Sequence, residues 1–184
     1  MSEQASVAIK ELFRTSQPAC LGPHKRDGTL AIAVLNARLD DWLPQMSVSP
    51  VNQQLIRALT LLWHDHLDAA HNIAQDIENP DGSFVHAIMH RREPDYWNSK
   101  YWFRRVGKHP VFPRIAERVD AFLKQNGAGE LAVKLLPNGN WDSLAFVDAC
   151  EQAARSQSSK QEEMLQEIQR IEFEVLIERF TGVG

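Results

Sequence analysis

The chain has 184 residues, of which 43% are hydrophobic and 24% are charged, and this composition is typical of one folded domain rather than a disordered or membrane-embedded chain. A formal net charge of −4 argues against a general attraction to nucleic acid or to anionic lipid. The two cysteines provide neither a disulfide framework nor a metal-binding spacing, and no apolar run approaches the roughly 20 residues that cross a bilayer.

The first half of the chain is predicted to be helical. Within residues 1–50, apolar spacing indicates a helix near Thr29–Leu43. From Asn52 to Ile77, apolar residues recur at three- and four-residue steps, which predicts one long helix that ends at the turn residues 79–82. A shorter helix is expected at Ser83–Arg92.

Helices are also predicted after Pro94, because proline disfavours helix in the residue before it and so breaks the chain there. Asp95 can cap a helix at Tyr96–Val106. The later elements are a helix at Pro113–Asn126, a helical turn or strand at Glu130–Leu136, a helix capped by Asp142, a polar joint at residues 156–160 and a final helix at Gln161–Phe180.

These elements predict an all-α fold, a compact helical bundle or array with a helical hairpin at its centre. We expect a single domain over residues 1–184. Its parts are N-terminal helices in 1–50, a core rich in His, Arg and aromatic residues in 51–125, and C-terminal helices in 140–181. The final helix can pack on its own domain or on a second subunit, which leaves an oligomer open.

The segment Asp95–Val106 resembles the second helix of a tetratricopeptide repeat or of its close variant, the Sel-like repeat. In that signature the small position, the aromatic pair and the alanine position fall on Ser99, Trp102-Phe103 and Val106. Ala87 resembles the small residue of the first helix, so the likeness covers about residues 83–107, with one degenerate unit before it. Serine and valine replace alanines here. The resemblance implies a binding scaffold and no catalytic residue.

Candidate functional residues concentrate between residues 64 and 109, which hold six of the seven histidines. Residues 91–118 carry eight Lys and Arg against three acidic residues, so an anion can be attracted locally. The predicted ligand-binding residues are His66, His86, His90, Arg91, Arg92, Tyr96, Trp97, Tyr101 and Arg104.

A metal site is a second interpretation of the histidines. His86 and His90 lie one helical turn apart and face the same way, as in helical zinc sites, although the glutamate of an HExxH motif is missing. His66 is expected on the apolar face of the long helix and His64 toward solvent, because two residues along a helix turn by about 200°. The alternative metal set is therefore His66, His86 and His90, with His71 or Glu93 as other candidates for the third ligand.

Arginines and aromatics suggest an anion or partner surface. Arg91 and Arg92 are interpreted either as a solvated helix end or as a fork for a carboxylate or phosphate. A stripe of two aromatics and two cations follows one side of the next helix, and either binds a ligand or is covered by another helix. Its members are Trp97, Tyr101, Arg104 and Lys108.

The function expected from these features is a non-catalytic helical scaffold that presents residues 64–109 to a protein segment or a small anionic ligand, without a cofactor. The alternative is a small metal-dependent enzyme, hydrolase-like, with one divalent metal. Nucleic acid and membranes are not expected as partners. Residues 1–13 lack the basic start and apolar run of a signal peptide, so a cytoplasmic location is expected.

Overall fold

A computed structural model describes residues 2–156 and 159–182, and every regular element in those ranges is helical. The α-helices are α1 (Ser2–Glu11), α2 (Ile32–Trp42), α3 (Pro50–Trp63), α4 (Leu67–Ala74), α5 (Pro80–Arg92), α6 (Tyr96–Val106), α7 (Phe112–Gln125), α8 (Gly129–Leu135), α9 (Ser143–Ser156) and α10 (Ser159–Thr181). The all-α prediction is confirmed. None of the helices in these ranges is long and apolar enough to span a bilayer.

Helix α5 lies at the centre of the fold and packs against α3, α4 and α6. Every side chain from Gly82 to Arg92 is buried, including its histidines and arginines. A helix covered on all sides has no solvent-facing stripe, which is why α5 lacks the apolar periodicity of its neighbours. The expectation that the end of this helix is solvated is therefore wrong.

The long helix predicted at Asn52–Ile77 is divided into α3 and α4 by residues 64–66. At the break, Asp65 has a positive φ of 65°, a conformation that aspartate tolerates better than most residues. Its carboxylate accepts hydrogen bonds from the backbone and side chain of Arg26 and from Arg92. These buried tertiary contacts outweigh the local helical pattern, which continues across the break.

The start of α5 also differs from the prediction. Residues 79–82 do not end the preceding helix, because the Asn79 side chain accepts a hydrogen bond from the Gly82 backbone N–H and caps α5, with Pro80 in its first turn. A Cβ atom at Gly82 would lie only 2.2 Å from the Ile77 carbonyl oxygen, so glycine permits this close approach. The helix begins at Pro80 rather than Ser83.

Helices α5 and α6 form the hairpin that brackets the candidate site. Asp95 caps α6 as predicted, since its carboxylate accepts from the Asn98 N–H at 3.2 Å. The buried Ser99 hydroxyl donates to the Ala87 carbonyl oxygen at 2.8 Å, which ties the two helices at their closest residues. The resemblance to a tetratricopeptide repeat stays a prediction.

The C-terminal elements close the other side of the core. Helix α10 packs against α3, α7 and α9 of the same chain and buries its apolar face there. Of residues 130–136, left open between helix and strand, all but Leu136 belong to α8, and Leu136 follows its end. The polar joint predicted at residues 156–160 includes two residues, 157 and 158, outside the described residues.

Candidate metal centre

Three histidine side chains converge between α4 and α5. His71 comes from the last turn of α4, whereas His86 and His90 lie one turn apart on the same face of α5. One ring nitrogen from each of the three lies within 4.8 Å of the others. The closest pair is His86 Nε2 and His90 Nε2, which are 2.9 Å apart.

Glu93 orients His90 from outside the cluster. Its Oε2 lies 3.2 Å from His90 Nδ1, at the end of α5. A carboxylate at that position favours the tautomer with the proton on Nδ1, which leaves the lone pair of Nε2 directed at His86. Histidines that bind metals commonly make this second hydrogen bond, because it fixes the ring and raises its basicity.

The environment keeps the inner rings uncharged. Burial, together with the nearby His90 and His71, lowers the pKa of His86 to about 3. Burial also lowers the pKa of His90, although Glu93 opposes that shift. Both rings are therefore neutral at pH 7, the form in which imidazole binds a metal ion.

Polar groups in this cluster lack internal partners. The Nδ1 atom of His86 is buried and makes no hydrogen bond within the described part of the chain. The two facing Nε2 atoms are joined either by a proton on one of them, as an N–H···N hydrogen bond, or by a cation between them, since two opposed lone pairs repel each other. A buried polar group without a partner costs on the order of 1–3 kcal/mol, so His86 Nδ1 is a point at which the packing of the cluster is incomplete.

The donor set fits one transition-metal ion. Three nitrogens bound to a tetrahedral zinc at about 2.1 Å lie about 3.4 Å from one another, so a separation at the 4.8 Å limit would close by about 1.4 Å and the His86–His90 separation of 2.9 Å would open slightly. His71 is half-buried, so its side chain is the least enclosed of the three. Three imidazoles suit Zn²⁺, Cu²⁺, Ni²⁺ or Fe²⁺ better than Mg²⁺ or Ca²⁺, which prefer oxygen ligands.

His66 does not belong to this cluster, so the alternative metal set is corrected at one position. Its Nε2 lies 2.8 Å from the Leu30 carbonyl oxygen, in the break after α3. His71 takes its place. The burial of the two histidines in the break is also the reverse of the expectation, since His64 is buried and His66 is half-buried.

The Arg92 side chain makes its hydrogen bonds within the fold. It is fully buried, and it donates to Asp65 at 2.6 Å and to the carbonyl oxygens of Cys20 and Leu62. Burial alone would raise the pKa of Asp65, but hydrogen bonds from Arg26 and Arg92 lower it, so the carboxylate is charged. The predicted placement of Arg92 on a ligand-binding surface is wrong, because Asp65 occupies its fork.

Arg91 is likewise enclosed. Its guanidinium donates to Glu172 at 2.6 Å and to Gln169 at 3.2 Å, both on α10, and lies 4.4 Å from the centre of the Phe146 ring. Burial raises the pKa of Glu172, although Arg91 opposes the shift. A guanidinium that is 0% exposed cannot meet a ligand from solvent, so the surface prediction for Arg91 is wrong as well.

The stripe that runs along α6 and ends at Lys108, just after the helix, is exposed and is not covered by another helix of the described residues. Its four members all face solvent, and the most exposed is Trp97 at 76%. The Trp97 and Tyr101 rings are nearly parallel, with centroids 6.3 Å apart. Tyr96, the remaining predicted residue on this helix, is half-buried against the core instead.

Several residues of the site carry no signal in the sequence. Trp102, named in the sequence only as part of the aromatic pair of the repeat resemblance, stacks on His86 with ring centroids 4.1 Å apart. The Asn98 amide nitrogen lies 3.0 Å from His90 Nε2. Both residues lie on α6, so only the fold of the hairpin brings them to the histidines of α5.

Comparisons with known proteins leave the site to be interpreted from its own geometry. Searches of protein-family models, of curated proteins and of solved structures found no match to this chain.

Proposed function

We propose that this protein binds one divalent transition-metal ion through His71, His86 and His90 and uses it for hydrolysis. The observation that carries the proposal is the convergence of three ring nitrogens from two helices, with Glu93 bonded to the outer nitrogen of His90. Three histidines rarely converge by chance in this way, since each has to lose rotamer freedom and hydration to do so.

The donor set supports a catalytic rather than a structural metal. Structural zinc sites are closed by four protein ligands, whereas catalytic zinc sites have three and leave a position for water. A metal held by these histidines would lower the pKa of a bound water toward about 7 and polarise the carbonyl group of an ester or a related compound. In ester hydrolysis the oxygen of that water would bond to the carbonyl carbon, the bond to the alcohol oxygen would break, and a proton of the water would pass to the departing alcohol.

The first experiment measures metal stoichiometry and affinity. Protein purified without chelators and titrated with Zn²⁺ should bind near one equivalent. His86→Ala and His90→Ala should each lower the affinity by more than about 100-fold, beyond the effect of losing only an outer hydrogen-bond partner. His24→Ala is the matched control, because His24 is exposed and outside the cluster, and it should bind zinc as the wild type does.

The second experiment measures hydrolysis of 4-nitrophenyl acetate by the zinc-loaded protein. We expect release of 4-nitrophenolate that is lost in His86→Ala and retained in His24→Ala. Equal zinc binding by the wild type and by both site variants would contradict the metal proposal. Zinc binding by the wild type without any hydrolysis above that of His86→Ala would contradict only the catalytic part.

A second candidate function is a scaffold for an acidic protein segment, favoured by the exposed stripe of α6. Arg104, Arg105 and Lys108 make no ion pair within the described ranges, whereas Lys100 on the same helix pairs with Asp148. Unpaired cations beside exposed aromatic rings are complementary to a segment that carries carboxylates and apolar side chains. This is the part of the surface predicted at residues 64–109 that the fold leaves accessible.

A dye-labelled Glu-rich peptide tests the scaffold directly. Binding should weaken with added salt and fall in Arg105→Ala and Trp97→Ala, but not in Lys124→Ala, a cation on α7. Binding that is the same in all three variants would contradict the scaffold. If a single-stranded oligonucleotide binds the same residues more tightly and with a dependence on salt, the partner is a nucleic acid rather than an acidic protein segment.

A further inference from the structure

Asn98 lies at the edge of the histidine cluster, in the first turn of α6. Its side-chain amide nitrogen is 3.0 Å from His90 Nε2 and 3.3 Å from His90 Nδ1. The backbone N–H of the same residue is held by the Asp95 cap, so the position of the amide is set by the start of the helix. The side chain is half-buried, which leaves one side open to solvent.

The two distances place the amide beside the ring rather than on the metal-binding direction. The amide nitrogen is nearly equidistant from both ring nitrogens, whereas an atom on the line of the Nε2 lone pair would lie much farther from Nδ1 than from Nε2. A metal bound to Nε2 at about 2.1 Å would therefore not collide with Asn98. A water or anion bound to that metal would be within hydrogen-bond reach of the amide.

The other groups around the cluster are already engaged. Trp102, one turn after Asn98 on α6, covers one face of His86. Glu93 is bonded to the outer nitrogen of His90. Asn98 is a half-buried polar side chain beside His90, and an amide offers both a donor and an acceptor to an exchangeable ligand.

We propose that Asn98 is a positioning residue that holds the fourth, exchangeable ligand of the metal, a water molecule or a small monovalent anion. The inference rests on the metal site proposed above, and it names the side from which that ligand, and hence a substrate oxygen, approaches. It predicts that two affinities depend on different residues. The three histidines determine the affinity of the protein for the metal, and Asn98 determines the affinity of the bound metal for a small anion.

The experiment uses the cobalt-loaded protein, since Co²⁺ takes zinc sites and has a visible absorption that changes with its ligands. Azide is titrated into the wild type, Asn98→Ala and Asn98→Asp. We expect Asn98→Ala to bind Co²⁺ within about threefold of the wild type and azide at least about 10-fold more weakly, the effect of losing one hydrogen bond to a charged group. Asn98→Asp should bind Co²⁺ at least as tightly and lose azide binding, because a carboxylate repels the anion and competes for the metal.

Lys124→Ala is the matched control, because Lys124 is an exposed cation on α7, outside the cluster, and it should resemble the wild type in both titrations. Azide binding by Asn98→Ala at the wild-type affinity would overturn the inference while leaving the metal site intact. Loss of Co²⁺ binding in Asn98→Ala, with the helical circular dichroism unchanged, would also overturn it, since the amide would then be a ligand itself. No Co²⁺ binding by the wild type would instead refute the proposed function.

Discussion

Two polar clusters, one around Asp65 and one between α4 and α5, differ in how completely their groups are paired. In the first, both carboxylate oxygens of Asp65 accept hydrogen bonds from the guanidinium groups of Arg26 and Arg92. In the second, the histidines of α4 and α5 point their ring nitrogens at one another, and His86 Nδ1 has no partner within the described residues. The hydrogen bonds of the Asp65 cluster account for it as a stabilising part of the fold, whereas the histidine cluster contains a polar atom that packing does not satisfy and is the one for which a metal ion is proposed.

The largest effect is expected from breaking the paired cluster. Asp65→Ala leaves two buried guanidinium groups without their carboxylate, so the free energy of unfolding should fall by about 3–5 kcal/mol. Asp40→Ala is the control, because Asp40 pairs with Arg57 at the surface and should change stability by about 0–1 kcal/mol. Urea denaturation measures both. A loss at Asp65 no larger than that at Asp40 would show that the buried cluster is not what holds the break between α3 and α4.

Acidification should weaken the same region through His64. Burial lowers its pKa from 6.5 to about 4, despite the hydrogen bond between its Nε2 and the Leu12 carbonyl oxygen. Between those pH values the unfolded chain binds a proton that the folded chain does not. The free energy of unfolding should therefore fall as the pH drops from about 6.5 to about 4, by on the order of 3 kcal/mol.

Urea denaturation across that pH range checks the His64 prediction. His64→Gln should make the dependence less steep, with the contribution of His86 remaining, whereas His24→Gln should leave it as steep as in the wild type, since the His24 ring is exposed in the folded as in the unfolded chain. An equally steep dependence in His64→Gln would assign the acid sensitivity to other groups, His86 first among them.

A smaller effect is expected when the histidine cluster loses the carboxylate that contacts His90. Glu93→Gln removes the charge that orients His90 but leaves the three imidazoles, so zinc affinity should fall by about 10–100-fold. This corresponds to about 1.4–2.7 kcal/mol of binding free energy. Calorimetric zinc titration measures it, with Glu117→Gln on the exposed side of α7 as the control. Equal zinc affinities in the two variants would show that Glu93 does not contribute to zinc binding.

The smallest effect on stability should come from Trp97→Ala. A tryptophan that is 76% exposed contributes little to the core, so the free energy of unfolding should change by no more than about 0.5 kcal/mol. Thermal or urea denaturation checks this. A loss of several kcal/mol would mean that the ring packs in the core, and the exposed stripe of α6 would then be the wrong place to look for a partner.

The fold was predictable where local chemistry and burial agree. The bounds of α6 follow from its Asp95 cap and from Gly107, which adopts the positive φ of 61° that ends the helix. The prediction of one long helix at Asn52–Ile77 was wrong, because the apolar periodicity continues through a break that is stabilised by Arg26 and Arg92, which lie far from it in sequence. Periodicity reports which faces are buried, but it does not report where a buried carboxylate interrupts the backbone.

The candidate site was predictable only in part. The spacing of His86 and His90 placed two ring nitrogens on one face of a helix, which local geometry alone determines. The third histidine could not be chosen from spacing, because His66 and His71 are both near in sequence and only the packing of α4 on α5 selects His71.

The sequence by itself determined the helical class, most helix ends and the pairing of two histidines, since each depends on contacts between residues a few positions apart. The tertiary structure decided which charged groups are buried. Arginine is a residue type usually found at the surface, but Arg91 and Arg92 are buried against carboxylates from α10 and from the break after α3. A side chain's exposure depends on the elements that cover it, and those elements lie as much as 81 residues away in the chain.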